Sequence, residues 1–422
     1  MDDPLTVTEA DAVVIGAGAF GLATAYHLAA LGAGRVLVLD RFAPASQTSP
    51  RAAGLFKLVQ ADEVRTRLAQ LSTAIVRRFE AATGVPMPHE ASGSLLVART
   101  PAHAAMIEAE AVAAGAWGVA IEPVSLATAT RLAPYLAPAG ILAAYSIPGD
   151  IFVEEPATLL ATYREAAERL GAIVVGEAPV TGFRLDRGRI AGVVTPRGEV
   201  ATEIVVDAAG AWAAAVGDLA GAVVPVAPVR HQLRITEPIA GVLPDAPIVR
   251  IVDAAVYLRP ARGGLMVGAF ERAPLPLDPR HDPGFTIART PLDAAVLDQC
   301  QSAIATQVPV LGDTAIAEHR GGLFTMTADG RFLLGPVAAP RGLWLATGCN
   351  GSGFSLASGV GRCLAEWIVG GESEIDVRSL DPRRFAATPM DERELVAAGV
   401  WQYENYYSPS NVPNGESLVR PS

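Results

Sequence analysis

Three glycines and one aspartate stand at a spacing that could hold phosphates. Gly16, Gly18 and Gly21 follow a short apolar run, and Asp40 ends a second apolar run. The first glycine permits a tight turn, the second lets the backbone approach a pyrophosphate, and the third lets a helix pack against the sheet. Unpaired amides at the start of that helix favour negative charge, and Asp40 can accept hydrogen bonds from a ribose. This pattern predicts a dinucleotide site, which would hold NAD or FAD alike.

Other elements must position this site and a second one for substrate. A chain of 422 residues exceeds the usual size of a single core, so two domains are expected. Strand-like alternation dominates the middle of the chain and favours an antiparallel sheet, while a strand and helix pattern returns near residue 343. We predict an α/β fold (α+β overall), with a Rossmann-like nucleotide domain and an antiparallel-sheet substrate domain. The nucleotide domain is expected at 1–90, 148–222 and 323–385, the substrate domain at 91–147 and 223–322, and a surface-wrapping tail at 386–422.

The composition of the chain limits its expected binding partners and its expected cellular compartment. The formal net charge of −11 argues against nucleic acid and anionic membrane surfaces as partners. The first ten residues lack the features of a signal peptide, and prolines interrupt the longest apolar stretch, 208–229, so we expect a cytoplasmic protein without a membrane span. Cys300, Cys349 and Cys363 are isolated and the histidines lack ligand spacing, so neither a disulfide framework nor a metal site is predicted. Lys57 is the only lysine.

Several further segments carry a resemblance to a known family. They are RAAGLF, DAAGAWA, VYLRPARGGLMVGAFE, TMTADGRFLLGP and ATGCNGSGFSLASGVGRCLAEWIVGGE. The segment from Gly16 to Asp40 is called the glycine cradle below. Together with this cradle, the segments resemble the D-amino acid oxidase superfamily of FAD enzymes, over residues 10–385. The chain is most similar to the flavin portion of dimethylglycine and sarcosine dehydrogenases. The resemblance implies FAD rather than NAD.

The resemblance also implies which residues contact FAD. Small residues in the turn 207–212 would admit the flavin, and the segment 348–354 would begin a helix whose amides face the electron-rich end of its ring. Either segment could instead be a plain packed turn. The implied cofactor-binding residues are Gly16, Gly18, Ala19, Gly21, Asp40, Arg41, Arg51, Ala52, Ala53, Lys57, Val180, Ala209, Gly210, Trp212, Met266, Gly351, Ser352, Gly353 and Phe354.

Three departures from the family pattern change the expected chemistry. Arg51 stands where the dimethylglycine and sarcosine dehydrogenases carry a histidine bonded to FAD, and Gly322 where monomeric sarcosine oxidase carries its flavin-linking cysteine. Noncovalent FAD is therefore expected. Met266 replaces a lysine associated with oxygen activation in monomeric sarcosine oxidase, so a protein or quinone acceptor becomes an alternative to oxygen. Lys57 could supply the missing charge, or it could be a solvated surface lysine.

The resemblance places two candidate catalytic residues on strands. His231 and Tyr257 match a histidine and a tyrosine implicated at the active site of dimethylglycine-type enzymes. His231 could hold the amine or take its proton, since imidazole titrates near neutral pH, although a histidine in a strand can also be purely structural. Phe324 stands where glycine oxidase has its carboxylate-binding arginine. Arg259 or Arg320 could replace that arginine as the substrate-binding group.

The expected activity is FAD-dependent oxidation of a secondary or tertiary amine, an N-methyl or N-alkyl amino acid, to an iminium that hydrolyses. Release of formaldehyde would follow if an N-methyl group were oxidised, and we expect no folate-binding domain in these 422 residues to capture it. The alternatives are an oxidase of a primary or cyclic amino acid or of a natural-product amine, and the flavin subunit of a multi-subunit dehydrogenase. A homo-oligomer or a larger complex also stays open.

Overall fold

The structure is a computed structural model that describes residues 5–386 and 390–409. Its strands, in chain order, are β1 (Ala12–Ile15), β2 (Val36–Leu39), β3 (Leu55–Phe56), β4 (Ser94–Ala98), β5 (Glu122–Val124), β6 (Ala143–Ile147), β7 (Ile151–Phe152), β8 (Ile173–Val175), β9 (Gly182–Asp186), β10 (Arg189–Thr195), β11 (Gly198–Ala201), β12 (Val205–Asp207), β13 (Ala227–Thr236), β14 (Ile248–Ile251), β15 (Val256–Ala261), β16 (Gly264–Ala269), β17 (Ile316–Met326), β18 (Leu333–Pro336) and β19 (Leu343–Thr347).

The α-helices alternate with these strands along much of the chain. None of the described helices combines the length and the apolar character needed to cross a bilayer. The helices are α1 (Ala19–Ala30), α2 (Glu63–Thr83), α3 (Pro101–Ala116), α4 (Leu126–Leu132), α5 (Pro156–Arg169), α6 (Ala213–Ala220), α7 (Ala294–Ser302), α8 (Gly353–Gly370) and α9 (Glu392–Glu404).

The first sheet is a six-stranded, mostly parallel layer in the order β18-β19-β12-β1-β2-β8, in which β18 runs antiparallel to β19. Its central strands are continuous apolar runs because both faces are covered, as AVVI in β1 and VLVL in β2 show. Helices α1, α2, α5 and α8 enclose a shared apolar core on one face. This layer carries the predicted Rossmann-like βαβ unit at β1, α1 and β2.

The second sheet has eight strands in the order β17-β13-β16-β15-β14-β4-β6-β5. Every pair in it is antiparallel except β14 with β4, which run parallel. One row of the sheet crosses five strands, because Arg320 pairs with Leu233, Leu233 with Gly268, Gly268 with Tyr257 and Tyr257 with Arg250. Directly opposite residues project from the same face, so this row places one arginine on each side of Tyr257. The two sheets together confirm the predicted fold class.

The described part of the predicted tail contains helix α9, most of which lies at the surface. Asp391 begins α9 by accepting a hydrogen bond from the amide of Glu394, whose own side chain bonds back to Asp391. The helix packs against β13 and β17, and Tyr403 near its end is completely buried. The polar composition of the tail predicts a surface position, which Trp401 keeps while Tyr403 buries its ring. The rest of the predicted tail, 387–389 and 410–422, lies outside the described residues.

Candidate active site

The glycine cradle has the close contacts that its spacing predicts. Gly16 has φ of +103°, and a Cβ there would lie 2.5 Å from the carbonyl oxygen of Ala208. A Cβ on Gly21 would lie 1.8 Å from the carbonyl oxygen of Gly16, so helix α1 can approach β1 only with glycine at this position. The Asp40 carboxylate accepts hydrogen bonds from the amides of Ala17, at 2.7 Å, and Phe42, at 2.8 Å. The cradle is thus rigid before any ligand binds.

A cavity of about 550 Å³ extends from this cradle to the face of the eight-stranded sheet. Two helix N-termini open on it, those of α1 and α8, and neither has a capping side-chain hydrogen bond at its N-cap residue. Such ends attract negative charge. The predicted residues that line the cavity are Gly16, Gly18, Ala19, Asp40, Arg41, Arg51, Ala52, Ala53, Lys57, Val180, Ala209, Gly210, Trp212, His231, Tyr257, Arg320, Phe324, Gly351, Ser352, Gly353 and Phe354.

Three predicted site residues do not line the cavity. Gly21 packs α1 on β1, as described above. Met266 is fully buried in a small apolar cluster with Leu233 and Ile235. Arg259 is also fully buried, and it donates to the backbone carbonyls of three segments, at residues 53, 154 and 260. The expectation that Arg259 binds substrate is therefore corrected, because its guanidinium is used to tie these segments together.

The other predicted basic residues lie at opposite ends of the cavity. Arg51 donates to the backbone carbonyls of Ser46 and Gln47, and burial together with the nearby Arg320 lowers its pKa. Arg320 contacts the carboxylates of Glu318 and Glu155. Lys57 lies at the other end, and its side chain is only 19% exposed. A solvated surface lysine is therefore the weaker interpretation of Lys57.

His231 is held between two tyrosine hydroxyls. Its Nε2 lies 2.8 Å from the Tyr257 hydroxyl and its Nδ1 lies 2.8 Å from the Tyr403 hydroxyl. The imidazole stacks on Phe324, with ring centroids 4.3 Å apart. Burial lowers the pKa of His231 to about 3, so the ring is neutral at pH 7. A neutral imidazole has one N–H, so one tyrosine accepts a hydrogen bond from it and the other donates one to it.

Gly268 makes the contact between Tyr257 and His231 sterically feasible. It stands directly opposite Tyr257 on β16, between the strands that carry the two side chains. A Cβ at Gly268 would lie 2.2 Å from both Cζ and the hydroxyl oxygen of Tyr257, so the tyrosine ring lies across this glycine. An isolated glycine in a strand often marks such a close approach. This role of Gly268 is not among those predicted from the sequence.

Aromatic residues missed by the sequence analysis form much of the cavity wall. Phe270 stacks on Tyr406, with ring centroids 4.1 Å apart, and Tyr407 also lines the cavity. Tyr403 does not line the cavity but contacts it through His231. The available signal was the run YENYY at 403–407, which places three tyrosines within five residues after an amphipathic segment.

Among the described residues, one group could be considered for a metal ion. Asp278, His281 and Glu392 bring their ligand atoms within 4.8 Å of one another at the surface. Arg280 already contacts both carboxylates, at 2.7 Å to Asp278 and 3.4 Å to Glu392. These charges are therefore paired within the protein, and the group lies outside the cavity lining.

The cavity fits a dinucleotide with an extended ring system. Asp40 offers its carboxylate at the end of β2, and the start of α8 suits the electron-rich end of a flavin ring. The start of α1 suits a pyrophosphate, with the Ala19 amide there donating to the Ser49 hydroxyl. At the Gly351 turn, where φ is +82°, a Cβ would meet the rings of Phe324 and Tyr406 at 3.3 and 3.5 Å. The glycine thereby keeps this end of the cavity open between the cofactor region and the aromatic wall.

Comparisons with known proteins agree with this geometry. Human mitochondrial sarcosine dehydrogenase is 34% identical over 388 residues, covering 90% of this chain and 42% of that protein. The 4-methylaminobutanoate oxidase (formaldehyde-forming) of Paenarthrobacter nicotinovorans is 28% identical, over 94% of this chain and 48% of that protein. The chain thus spans less than half the length of these two relatives.

The fold also matches solved structures. The crystal structure of L-proline dehydrogenase from P. horikoshii superposes with a TM-score of 0.81 at 24% identity, over 91% of this chain and 100% of that one. This likeness concerns the fold. The family described as DAO, FAD dependent oxidoreductase, matches residues 11–367 of this chain. This range contains both large sheets. The chain therefore belongs to this family of FAD-dependent oxidoreductases, as its motifs predicted.

Proposed function

We propose that this protein uses FAD to oxidise a secondary or tertiary amine, an N-methyl or N-alkyl amino acid, to an iminium that water hydrolyses. The observation that carries the proposal is the neutral His231 hydrogen-bonded to Tyr257 at the wall of the cavity. The names of two relatives support the substrate class, because one acts on sarcosine and another on 4-methylaminobutanoate with formation of formaldehyde. An N-methyl substrate of this protein would release formaldehyde in the same way.

The side chains have separable tasks in this proposal. FAD, when bound, supplies the acceptor for the electrons and hydrogen of the substrate C–H bond. Tyr257 would meet the substrate through its hydroxyl, because it lines the cavity next to His231. His231 has a pKa of about 3, and both of its ring nitrogens are already hydrogen-bonded, so it is a poor proton acceptor. We therefore assign His231 to orienting Tyr257 rather than to taking the amine proton.

The aromatic wall would favour the reactive form of the amine. Phe270, Phe324, Tyr406 and Tyr407 line one end of the cavity and offer mostly apolar surface. An apolar enclosure disfavours a bare ammonium relative to the neutral amine, and amine oxidation requires the neutral form. The same surface suits N-methyl or larger N-alkyl groups.

We further propose that FAD is bound noncovalently. Arg51 and Gly322 both line the cavity at the positions where relatives of known chemistry attach their flavin. Neither an arginine nor a glycine side chain offers the nucleophile that such a bond requires.

The cytoplasm is proposed as the location of the protein, in agreement with its three cysteines, which are all free.

An acceptor other than oxygen is the second part of this proposal. Met266 is buried in an apolar cluster and brings no charge to the cavity, while Lys57 lines its far end. A dehydrogenase, or a flavin subunit within a larger complex, is therefore the candidate to compare with an oxidase. Copurification of a second polypeptide would support the multi-subunit form.

The decisive experiment is anaerobic bleaching of the bound flavin. The purified flavoprotein is mixed with sarcosine, dimethylglycine and longer N-alkyl amino acids, and with glycine, alanine and proline as comparison substrates. Bleaching by the N-alkyl set and formation of formaldehyde from its N-methyl members is the expected result. Bleaching by the primary or cyclic amino acids alone would replace the proposed substrate class. Admission of oxygen then tests the acceptor, since slow return of the yellow colour is expected.

A further inference from the structure

We propose that Arg250 and Lys57 form a subsite that binds the carboxylate of the substrate, at the end of the cavity beyond Tyr257. The inference rests on the proposed function, because it concerns the substrate of the same site. Neither residue is predicted from the sequence to bind substrate. They take the place of Arg259, each of whose guanidinium nitrogens donates to a backbone carbonyl.

Arg250 has an unsatisfied donor in a buried position. Its side chain is 1% exposed, yet the residue lines the cavity. Nη1 donates to Asp150 at 2.9 Å and to Ser94 at 3.0 Å, while Nη2 has no hydrogen-bond partner among the described residues. A buried guanidinium nitrogen without an acceptor is costly, and a carboxylate is its natural partner. The free donor thus indicates a site for an acid group.

Lys57 brings a second cation to the same place. Asp150, which holds Arg250, also accepts the backbone amide of Leu58 at 2.9 Å, so one carboxylate fixes both Arg250 and the backbone next to Lys57. The Lys57 ammonium forms an ion pair with Glu110 at 3.9 Å, a distance too long for a hydrogen bond, and makes no hydrogen bond within the described chain. It lies 5.4 Å from the ring centroid of Tyr406. Lys57 therefore keeps donors for a ligand.

Arg320 is the less suitable anchor, although one of its nitrogens also lacks a hydrogen-bond partner in the described part of the chain. Its guanidinium contacts two carboxylates, Glu318 and Glu155, whereas Arg250 contacts one. The sheet row separates the two arginines by four strand spacings, about 19 Å between backbones. Arg250 is the direct neighbour of Tyr257 in that row. A carboxylate at Arg250 would share the cavity with the Tyr257 hydroxyl, although the Tyr257 ring extends the other way, across Gly268.

The test uses ligands that cannot be oxidised as amines. Methoxyacetate resembles sarcosine with an ether oxygen in place of nitrogen, and methoxyacetamide is its neutral counterpart. Their Kd values for the flavin-loaded protein are measured by calorimetry and by changes in flavin absorbance. The wild type should bind the carboxylate at least about tenfold more tightly than the amide. Arg250→Lys, which keeps the charge for Asp150, and Lys57→Gln should each remove most of this preference without weakening amide binding.

Arg320→Lys is the matched control, since it alters the other arginine of the same row and should retain the preference. Flavin content and melting temperature report whether each variant is folded. The proposal is overturned if the wild type shows no preference for the carboxylate, if both Arg250→Lys and Lys57→Gln retain it, or if only Arg320→Lys loses it. A preference that depends on Arg250, in a protein whose flavin no amine bleaches, would support this subsite and reject the proposed function. Bleaching by amines in a protein that shows no carboxylate preference would reject this subsite and support the proposed function.

Discussion

Tyr403 in α9 and His231 in β13 are 172 residues apart in the sequence, and their hydroxyl oxygen and Nδ1 are 2.8 Å apart in the structure. The contact fixes one side of the imidazole while Tyr257 fixes the other. It gives a buried tyrosine, outside the cavity lining, a direct connection to the residues proposed to orient the substrate. The C-terminal helix is therefore part of the active-site support.

Replacing Tyr403 should reduce catalysis more than substrate binding. Tyr403→Phe removes the bond to Nδ1, which leaves one imidazole nitrogen without a partner and frees the ring to rotate. We expect kcat to fall roughly tenfold, corresponding to a lost hydrogen bond of about 1.4 kcal/mol, with little change in KM. Steady-state kinetics over a pH series, with the acceptor saturating, measure both constants.

The matched control for Tyr403→Phe is Tyr135→Phe. Tyr135 is also buried and donates to the carbonyl oxygen of Pro247, far from the cavity lining. This variant should lose some thermal stability and keep its kcat. Equal kcat values for Tyr403→Phe and the wild type at every pH would show that the contact is only structural.

A methyl group at Gly268 should displace Tyr257. In Gly268→Ala the new Cβ would stand 2.2 Å from the Tyr257 hydroxyl oxygen, so the ring must move off β16 and lose its bond to His231. We expect a fall in kcat of about tenfold or more. Gly115→Ala in α3 is the control, because no atom lies near its added Cβ and alanine favours a helix. Unchanged kinetics in Gly268→Ala would contradict the proposed role of the glycine.

Asp207 should make stability depend on pH. Its carboxyl is fully buried, accepts the amide of Ala209 at 3.0 Å, and has a second oxygen without a partner among the described residues. Burial raises its pKa to about 8 from 3.8. The folded state therefore keeps a proton that the unfolded state releases, and stability falls as pH rises between these two values.

Asp207→Asn removes this titration and tests its sign. The variant should gain stability relative to wild type at pH 8, on the order of 5 kcal/mol at most for a pKa that rises from 3.8 to about 8, and gain less at pH 5. Chemical denaturation at both pH values measures the difference. Asp186→Asn, which changes an exposed residue of β9, serves as the control. A difference between Asp207→Asn and wild type that is the same at both pH values would refute the assignment.

Acid should release the flavin. With arginine at position 51 and glycine at position 322, we expect all of the yellow colour in the supernatant after acid precipitation of the holoprotein. Absorbance of the supernatant, with the pellet redissolved for comparison, measures the distribution. Colour that stays with the pellet would mean that another side chain forms a covalent bond to FAD.

The sequence predicted the elements whose signals are local. The glycine spacing from Gly16 to Gly21 indicates that α1 packs closely on β1. Helix α2 is capped by Asp62 at its start and by Gly84 at its end. His231 and Tyr257 were selected through a family resemblance, which carries residues across to matching positions. The same resemblance could not show that Arg259 lies outside the cavity lining, because the distant backbone carbonyls of Ala53 and Glu154 hold it there.

The sequence by itself predicted the cradle and the fold class, because apolar periodicity and glycine spacing act over a few residues or a single βαβ unit. It predicted the family through the resemblance of its motifs to those of known members. Only the tertiary structure decided which distant side chains meet: Tyr403 with His231, Tyr257 across Gly268, and Arg250 with Asp150. Strand register and the docking of α9 fix these contacts. Both depend on pairing between segments far apart in the chain, which no local pattern specifies.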